Sequence, residues 1–379
     1  MEKSSATSFY SLLDWFSDME DPRLDRKKQY PLDEILFLTV CGVMSGFQGW
    51  EEISDFGEEK LEWLRQYRPY ENGIPSHDTL NRVMGLIESA SFEAFFSVWA
   101  SGFAPSLAGR LVNLDGKRLR GSANKKEQQT ARKEGGKSAV HVVEAWCSDL
   151  NLCLGQVKTE EKSNEITAIP SLLEMIELGG SIVSIDAMGC QKSIAEKIVG
   201  QNADYLFGLK QNQGALHQKA LEAFENESVE GSSVENNSGH GRIEKRICTI
   251  LPAKVLEKAD EWPGLKTVIE IRSERTVLST GAQSVETRYY LTSLDWPAEK
   301  LNSLVRQHWG IENKLHWVMD VFFSEDLDRK RKGNAAQNIA LVRRLVLNLL
   351  RSHPENISVN RKLAKCAFSD EYRRKVLDF

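Results

Sequence analysis

Apolar positions recur at helical spacing through residues 8–105, and from residue 111 they fall into short runs or alternate with polar ones. LDEILFLTVCGVMSG and SFEAFFSVWASGF carry the three-and-four spacing of a helix with one buried face. Between them, GIPSHDTLNRVMGLIES reads as a turn at Gly73 and Pro75, followed by a helix start with Ser76 as N-cap. A short turn feeding an amphipathic helix suits a helix-turn-helix and a plain helical bundle equally.

The period changes at residue 111. RLVNLDG, SAVHVVEAWCSD, LCLGQVKTEE, SIVSIDAMG and ADYLFGLK read as five strands; Asp115 and Asp186 are expected at the ends of the first and the fourth. EITAIPSLLEMIELGG, QKSIAEKIVGQN and QNQGALHQKALEAFENE read as helices between and after them. The order β-β-β-α-β-α-β-α predicts a mixed sheet with helices on both faces, and sites in such sheets gather at strand ends. Residues 227–295 break the alternation: the polar stretch VEGSSVENNSGHG is followed by strand-like RIEKRICTIL, LKTVIEIRSERTVL and TRYYLTSL. A long helix is expected from about Ala298 to Val321, then a strongly apolar one in NAAQNIALVRRLVLNLLRS, as core or as an oligomer contact. The expected organisation is α/β: a helical N-terminal region (1–108), a mixed five-stranded sheet flanked by helices (109–226), a β-rich insertion (227–295) and a C-terminal helical part of the same core (296–379).

Composition adds little until it is resolved along the chain. The 379 residues are 41% hydrophobic and 27% charged, with 49 Lys+Arg against 54 Asp+Glu and a net charge of −5. This is a globular composition, and its sum argues against a polyanion partner. The distribution argues the other way. Residues 111–137 carry 8 basic and 3 acidic side chains, and residues 327–379 carry 13 and 5. Two basic blocks on an acidic body are either a nucleic-acid footprint or solvated loops. The six cysteines include no CxxC pair, which suits thiols in a reducing compartment. The absence of a membrane-length apolar run, and of a cleavable leader in MEKSSATSFY, predicts a cytoplasmic protein.

The chemistry centres on acids. Asp115 and Asp186 follow runs of β-formers, so each is either a helix N-cap or a carboxylate that needs a cation. His308, Glu312, His316 and Asp320 recur every four residues along one predicted helix face. That stripe is metal-ligating, a solvated face, or the polar edge of a core helix.

LDGKRLRGS, EKSNEITAIP, SIDAMGCQKSIA, ADYLFGLKQNQ, HGRIEKR, RYYLTSL and HWGIENKLHWVMDVFFSED, in this order, resemble the H-repeat-associated group of bacterial insertion-sequence transposases. That group is of the aspartate–aspartate–glutamate (DDE) class with a ribonuclease-H-like core. The resemblance implies Asp115, Asp186 and Glu312 as catalytic carboxylates holding Mg²⁺ or Mn²⁺, as two ions. It further implies double-stranded DNA as partner (terminal inverted repeats and target), DNA cleavage and strand transfer, and a homodimer on DNA. The Tyr, Arg and Lys that accompany this Glu in related transposases are replaced here by Val305, His308 and Met319. Candidate DNA contacts are Lys117, Arg118 and Arg120 after the first Asp, Lys210 and Asn212 after the fifth strand, His240, Arg242 and Arg246 in the insertion, and His308 and Trp309. Each basic group has a surface-loop or ion-pair alternative. A DNA-binding descendant that has lost catalysis and a nuclease without strand transfer are the competing functions.

Overall fold

The computed structural model describes residues 12–104, 106–123, 139–159, 165–239 and 241–377. The five runs of β-formers become β1 (Leu111–Leu119), β2 (Val140–Cys147), β3 (Leu152–Lys158), β4 (Ile182–Ile185) and β5 (Asp204–Leu209). β2 and β3 are antiparallel additions on one side of β1, while β4 and β5 run parallel to it on the other. This order, β3-β2-β1-β4-β5, is the mixed sheet that the alternation predicts, in the ribonuclease-H-like arrangement that the resemblance implies. The parallel strands read as near-continuous apolar runs because helices cover both faces: Ile182–Ile185 is buried at every position.

The insertion does not form a body of its own. Its strands β6 (Gly231–Gly239), β7 (Arg242–Pro252), β8 (Thr267–Val277) and β9 (Gln283–Thr292) continue the core sheet, because β9 pairs antiparallel with β5 from Leu206↔Thr292 to Leu209↔Tyr289. The result is one nine-stranded sheet ending in β6. The polar stretch before HGRIEKR is thus a strand rather than a linker. Its Ser, Asn and Gly side chains suit an edge, where unpaired backbone invites association unless the flanking surface is polar.

Side-chain alternation divides β1 between two layers. Val112 and Leu114 enter an apolar core with Val143, Ala145 and the helices Glu165–Glu174 and Lys192–Gly200. Asn113, Asp115 and Lys117 face the other side, toward the C-terminal helices. There the helix Ala335–Ser352 is buried from Ala335 to Leu350 without a break, which settles its apolar stretch as core. Its polar residues survive burial because each has partners. The Asn348 amide bonds both backbone groups of Cys153, at the point where the β2–β3 register shifts between Ala145 and Trp146. Asn338 caps the carbonyls of Met84 and Ile87. The same helix shares a continuous apolar cluster with Leu32–Met44, His77–Leu86 and Ser89–Ser101, so the N-terminal helices complete the core beneath the sheet. Ser76 stands at the N-cap position of its helix as expected.

Arg344 is the most demanding group in this layer. It has no exposed surface and bonds both Glu144 on β2 and Glu325. Burial alone would neutralise such carboxylates; the guanidinium holds Glu144 well below its ordinary range. Arg344→Ala strands two buried negative charges and is expected to destabilise the fold by about 3–5 kcal/mol, read from urea midpoints.

Glu93 ties the helix Ser89–Ser101 to the sheet by accepting from the Lys158 backbone N–H at 3.0 Å. Burial pushes its carboxyl up to about 7. Because the folded form holds its proton more tightly than the unfolded chain, this group's contribution is complete below about pH 4.5 and declines as pH rises through 7. Glu93→Gln keeps the accepted hydrogen bond and removes the titration. It should flatten the stability profile between pH 5 and 8 and gain up to about 3 kcal/mol at the alkaline end.

Candidate active site

β1 and β4 are paired in parallel as Asn113↔Ser184 and Leu114↔Ile185. One step further along this register sets Asp115 beside Asp186. At that point β4 ends: the chain turns through Ala187–Gly189, and the Asp186 carboxylate caps the turn by accepting from the Met188 N–H at 2.9 Å. The cap and the cation alternatives therefore fall on the same side chain. Asp115 differs from expectation, since β1 continues to Leu119; the residue marks the end of its neighbour, not of its own strand. Its carboxylate accepts from the Gly116 N–H at 2.8 Å. Burial pushes the Asp115 carboxyl up to about 6, partly countered by His316, with Asp186 and Glu165 raising it further. Burial likewise raises Asp186, with Glu165 adding to the effect. Two desolvated, mutually repelling carboxylates are a hard-oxygen pair short of positive charge.

The helix expected from Ala298 to Val321 is interrupted. It runs from Ala298 to His308, breaks at Trp309, and resumes through a widened π-type turn, Glu312–His316, before Trp317–Phe322. π turns insert a residue and re-aim side chains, frequently at functional sites. The four-residue stripe is therefore not a uniform face. His308 is buried, its Nδ1 3.1 Å from the Ser184 hydroxyl, and burial holds its imidazole neutral with a pKa of about 4. It therefore brings no positive charge to the cavity it lines. His316 lies between Asp115 (3.6 Å) and Glu144 (3.0 Å), and the Glu144 hydrogen bond raises its pKa against burial. Asp320 accepts two bonds of 2.8 Å from the Lys117 ammonium. Glu312 alone points to solvent, on the turn between the two histidines.

Lys117 is correspondingly turned inward, 7% exposed, and held by Asp320 with Glu325 3.9 Å away. Its charge serves the buried network and not a DNA contact. Part of the C-terminal basic block is internal in the same way, although Arg329, Lys332, Arg361, Arg374 and Lys375 are exposed. Arg343 pairs with Asp328, Arg344 with Glu144 and Glu325, and Arg373 with Asp370, so these guanidiniums form no outer patch. Arg118 is exposed, and Arg120 is exposed beside Asp326. Residues 124–138, with Lys125, Lys126, Arg132, Lys133 and Lys137, and His240 lie outside the described residues.

Among the described residues, a further positive surface lies outside these blocks. A groove of about 510 Å³ between β7–β9 and the broken helix is lined by Arg242, Arg246, Arg275, Arg288, Arg306 and Lys314, against Glu244, Glu286 and Glu312. It adjoins a smaller cavity of about 240 Å³ lined by Asp186, Lys210, His308 and Trp309, the two sharing Glu286, Arg288, Tyr290 and Trp309. The Arg288 guanidinium stacks 4.2 Å over the Trp309 ring and bonds Glu286 at 2.8 Å. Lys210 is exposed at the rim, whereas the Asn212 amide is taken by the Ala187 carbonyl. Asp186 and Lys210 thus line one cavity and Arg242, Arg246 and Glu312 the adjoining one, with Trp309 common to both. Sequence reasoning missed Arg275, Arg288 and Lys314, which sit in an acidic segment, and set Arg306 aside as lying on a different helical face; strand register brings Arg275 and Arg288 beside Arg242 and Arg246. It had His316 on the polar stripe but missed Glu144, which holds it beside Asp115.

A divalent cation fits the donor set. Asp115 and Asp186 present carboxylate oxygens side by side, their charged forms disfavoured until positive charge is supplied. Among the described residues, however, no three acidic or imidazole groups stand within ligand range of one point.

Comparison with known proteins agrees with this architecture. The transposase DDE domain matches residues 108–349, and a DDE-transposase-associated model matches residues 13–100. The chain is 41% identical to "Putative transposase YncI" of Escherichia coli O157:H7, over 98% of this chain and 95% of that protein. It is 40% identical to "H repeat-associated putative transposase YhhI" of E. coli K12, over 97% of each. Among solved structures it is similar to a piggyBac transposase synaptic complex with hairpin DNA, at TM-score 0.47 and 10% identity, covering 97% of this chain and 81% of that one. With the family match spanning the sheet, its insertion and the helix that carries Glu312, the chain belongs to the DDE-domain transposases.

Proposed function

We propose that this transposase binds duplex DNA at the ends of an insertion sequence, cleaves it there and joins the ends to a target, using Asp115, Asp186 and Glu312. The observation that supports this most directly is the β1–β4 register, which aligns the two aspartates where β4 stops and opens the sheet edge to a substrate. Asp115 and Asp186, joined by Glu312, are the residues to hold Mg²⁺ or Mn²⁺. When bound, such cations polarise the scissile phosphate and favour ionisation of the attacking oxygen.

The remaining roles fall to the chain's own side chains. His316, fixed by Glu144, holds the Asp115 carboxylate from behind. The groove arginines and Lys314 neutralise backbone phosphates leading toward Asp186. The Arg288–Trp309 pair offers a flat cationic face at the mouth of the Asp186 cavity, suited to an unstacked base. Lys210 and Arg118 extend this charge at the rim.

With Mg²⁺ or Mn²⁺, the protein should cleave duplex DNA bearing the terminal inverted repeats of its element. Asp186→Asn should abolish cleavage while still binding the DNA. Unimpaired cleavage by Asp186→Asn would refute the carboxylate assignment. Cutting without joining of 3′ ends identifies a nuclease, and binding without cutting a non-catalytic descendant.

Arg242 is exposed in the groove with its charge available. Arg242→Ala should weaken binding evenly across DNA sequences and reduce the slope of log affinity against log salt by about 1. An unchanged slope would place the DNA elsewhere.

A further inference from the structure

EKSNEITAIP is among the longest distinctive strings in the sequence, yet neither the fold nor the three proposed carboxylates account for its second acid. That acid is Glu165, first residue of the helix Glu165–Glu174, which packs on the sheet face opposite the broken helix of Glu312. Its side chain is 12% exposed and lies against the backbone of β1 one residue beyond Asp115. A Cβ at Gly116 would sit 1.9 Å from the Glu165 Oε1 and 2.8 Å from the His141 Nε2. The φ of Gly116 is not positive, so glycine is needed here for space. The vacated volume is filled by a carboxylate and its partner: His141 on β2 holds Glu165 with Nε2 3.0 Å from Oε1.

This position is the notch where β4 has ended and β1 runs on beside β2 alone. A carboxylate clamped there adds a third negative charge to two aspartates that already repel each other. Burying a carboxylate against the β1 backbone beside two others is costly unless a cation offsets it.

We propose that Glu165 is a fourth carboxylate of the cation site, reaching Asp115 and Asp186 from the layer opposite Glu312, with His141 as its clamp and Gly116 as the opening that admits it. The inference rests on the reading of Asp115 and Asp186 as cation-holding residues.

The test is Mn²⁺ binding by the full chain without DNA, followed by calorimetry and by the electron paramagnetic resonance of free Mn²⁺. Glu165→Gln should weaken binding about tenfold or more, the range typical of groups that support a metal site, without lowering the melting temperature in EDTA. Gly116→Ala, which evicts the carboxylate while leaving its chemistry intact, should do the same, and Glu165→Asp should fall between. Asp186→Asn separates the two levels of the argument. If it loses Mn²⁺ while Glu165→Gln and Gly116→Ala bind like the parent, the role of Glu165 is overturned and the aspartate pair stands. If Asp186→Asn binds Mn²⁺ normally, the aspartate reading falls and the inference falls with it.

Discussion

A guanidinium sealed between two carboxylates fixes the geometry on which the site depends. Arg344 joins Glu144 of β2 to Glu325 after the broken helix, and from this centre the charges alternate outward: Glu144 to His316 to Asp115 on one side, Glu325 to Lys117 to Asp320 on the other. Each contact joins two different elements. The long C-terminal helix, the central sheet and the Glu312 segment are therefore locked by directional contacts that apolar packing alone would leave free to slide. A hydrophobic replacement of Arg344 would fit the volume but not the directions. Asp115 is thus held by His316, which the fully buried Glu144 and Arg344 fix in turn.

The layered core was readable because strand and helix periods differ and the chain obeys both; all five core strands fall where β-formers cluster. The limits of that reading have physical causes. Ser, Asn and Gly in residues 231–239 carry no β propensity, and they form a strand only because β7 offers a partner along its whole length. The break at Trp309 and the wide turn after Glu312 leave no mark in hydrophobic spacing, since they arise from Asn113 bonding the carbonyls of Gln307 and His308 across the layers. The place of the two aspartates on neighbouring strands was legible from the runs of β-formers before them. The basic groove was legible only at Arg242 and Arg246; Arg275, Arg288 and Arg306 come from separate segments that the fold brings beside them.

Charge counting misled in an instructive way. The block after residue 327 counts as basic in full, yet Arg343, Arg344 and Arg373 within it are buried counterions matched to acids, while Arg329, Arg361 and Arg374 face outward. The acidic middle of the chain, by contrast, supplies the positive groove. Net charge describes a segment, while a partner meets only the groups that folding turns outward.

The continuity of the sheet from the aspartates to the far edge has a geometric consequence. Neighbouring strands rotate by about 20–25°, and five steps lead from β1 through β4, β5, β9 and β8 to β7. The accumulated rotation is roughly 100–125°, more than a quarter turn. A surface that starts flat beneath Asp115 and Asp186 becomes a curling wall by the time it reaches Arg242 and Arg246. Since no hinge separates that wall from the core strands, a rod lying along it is wrapped and aimed in the same act. The reach of the insertion and the direction in which it presents its cargo are one property of a single twisted plate.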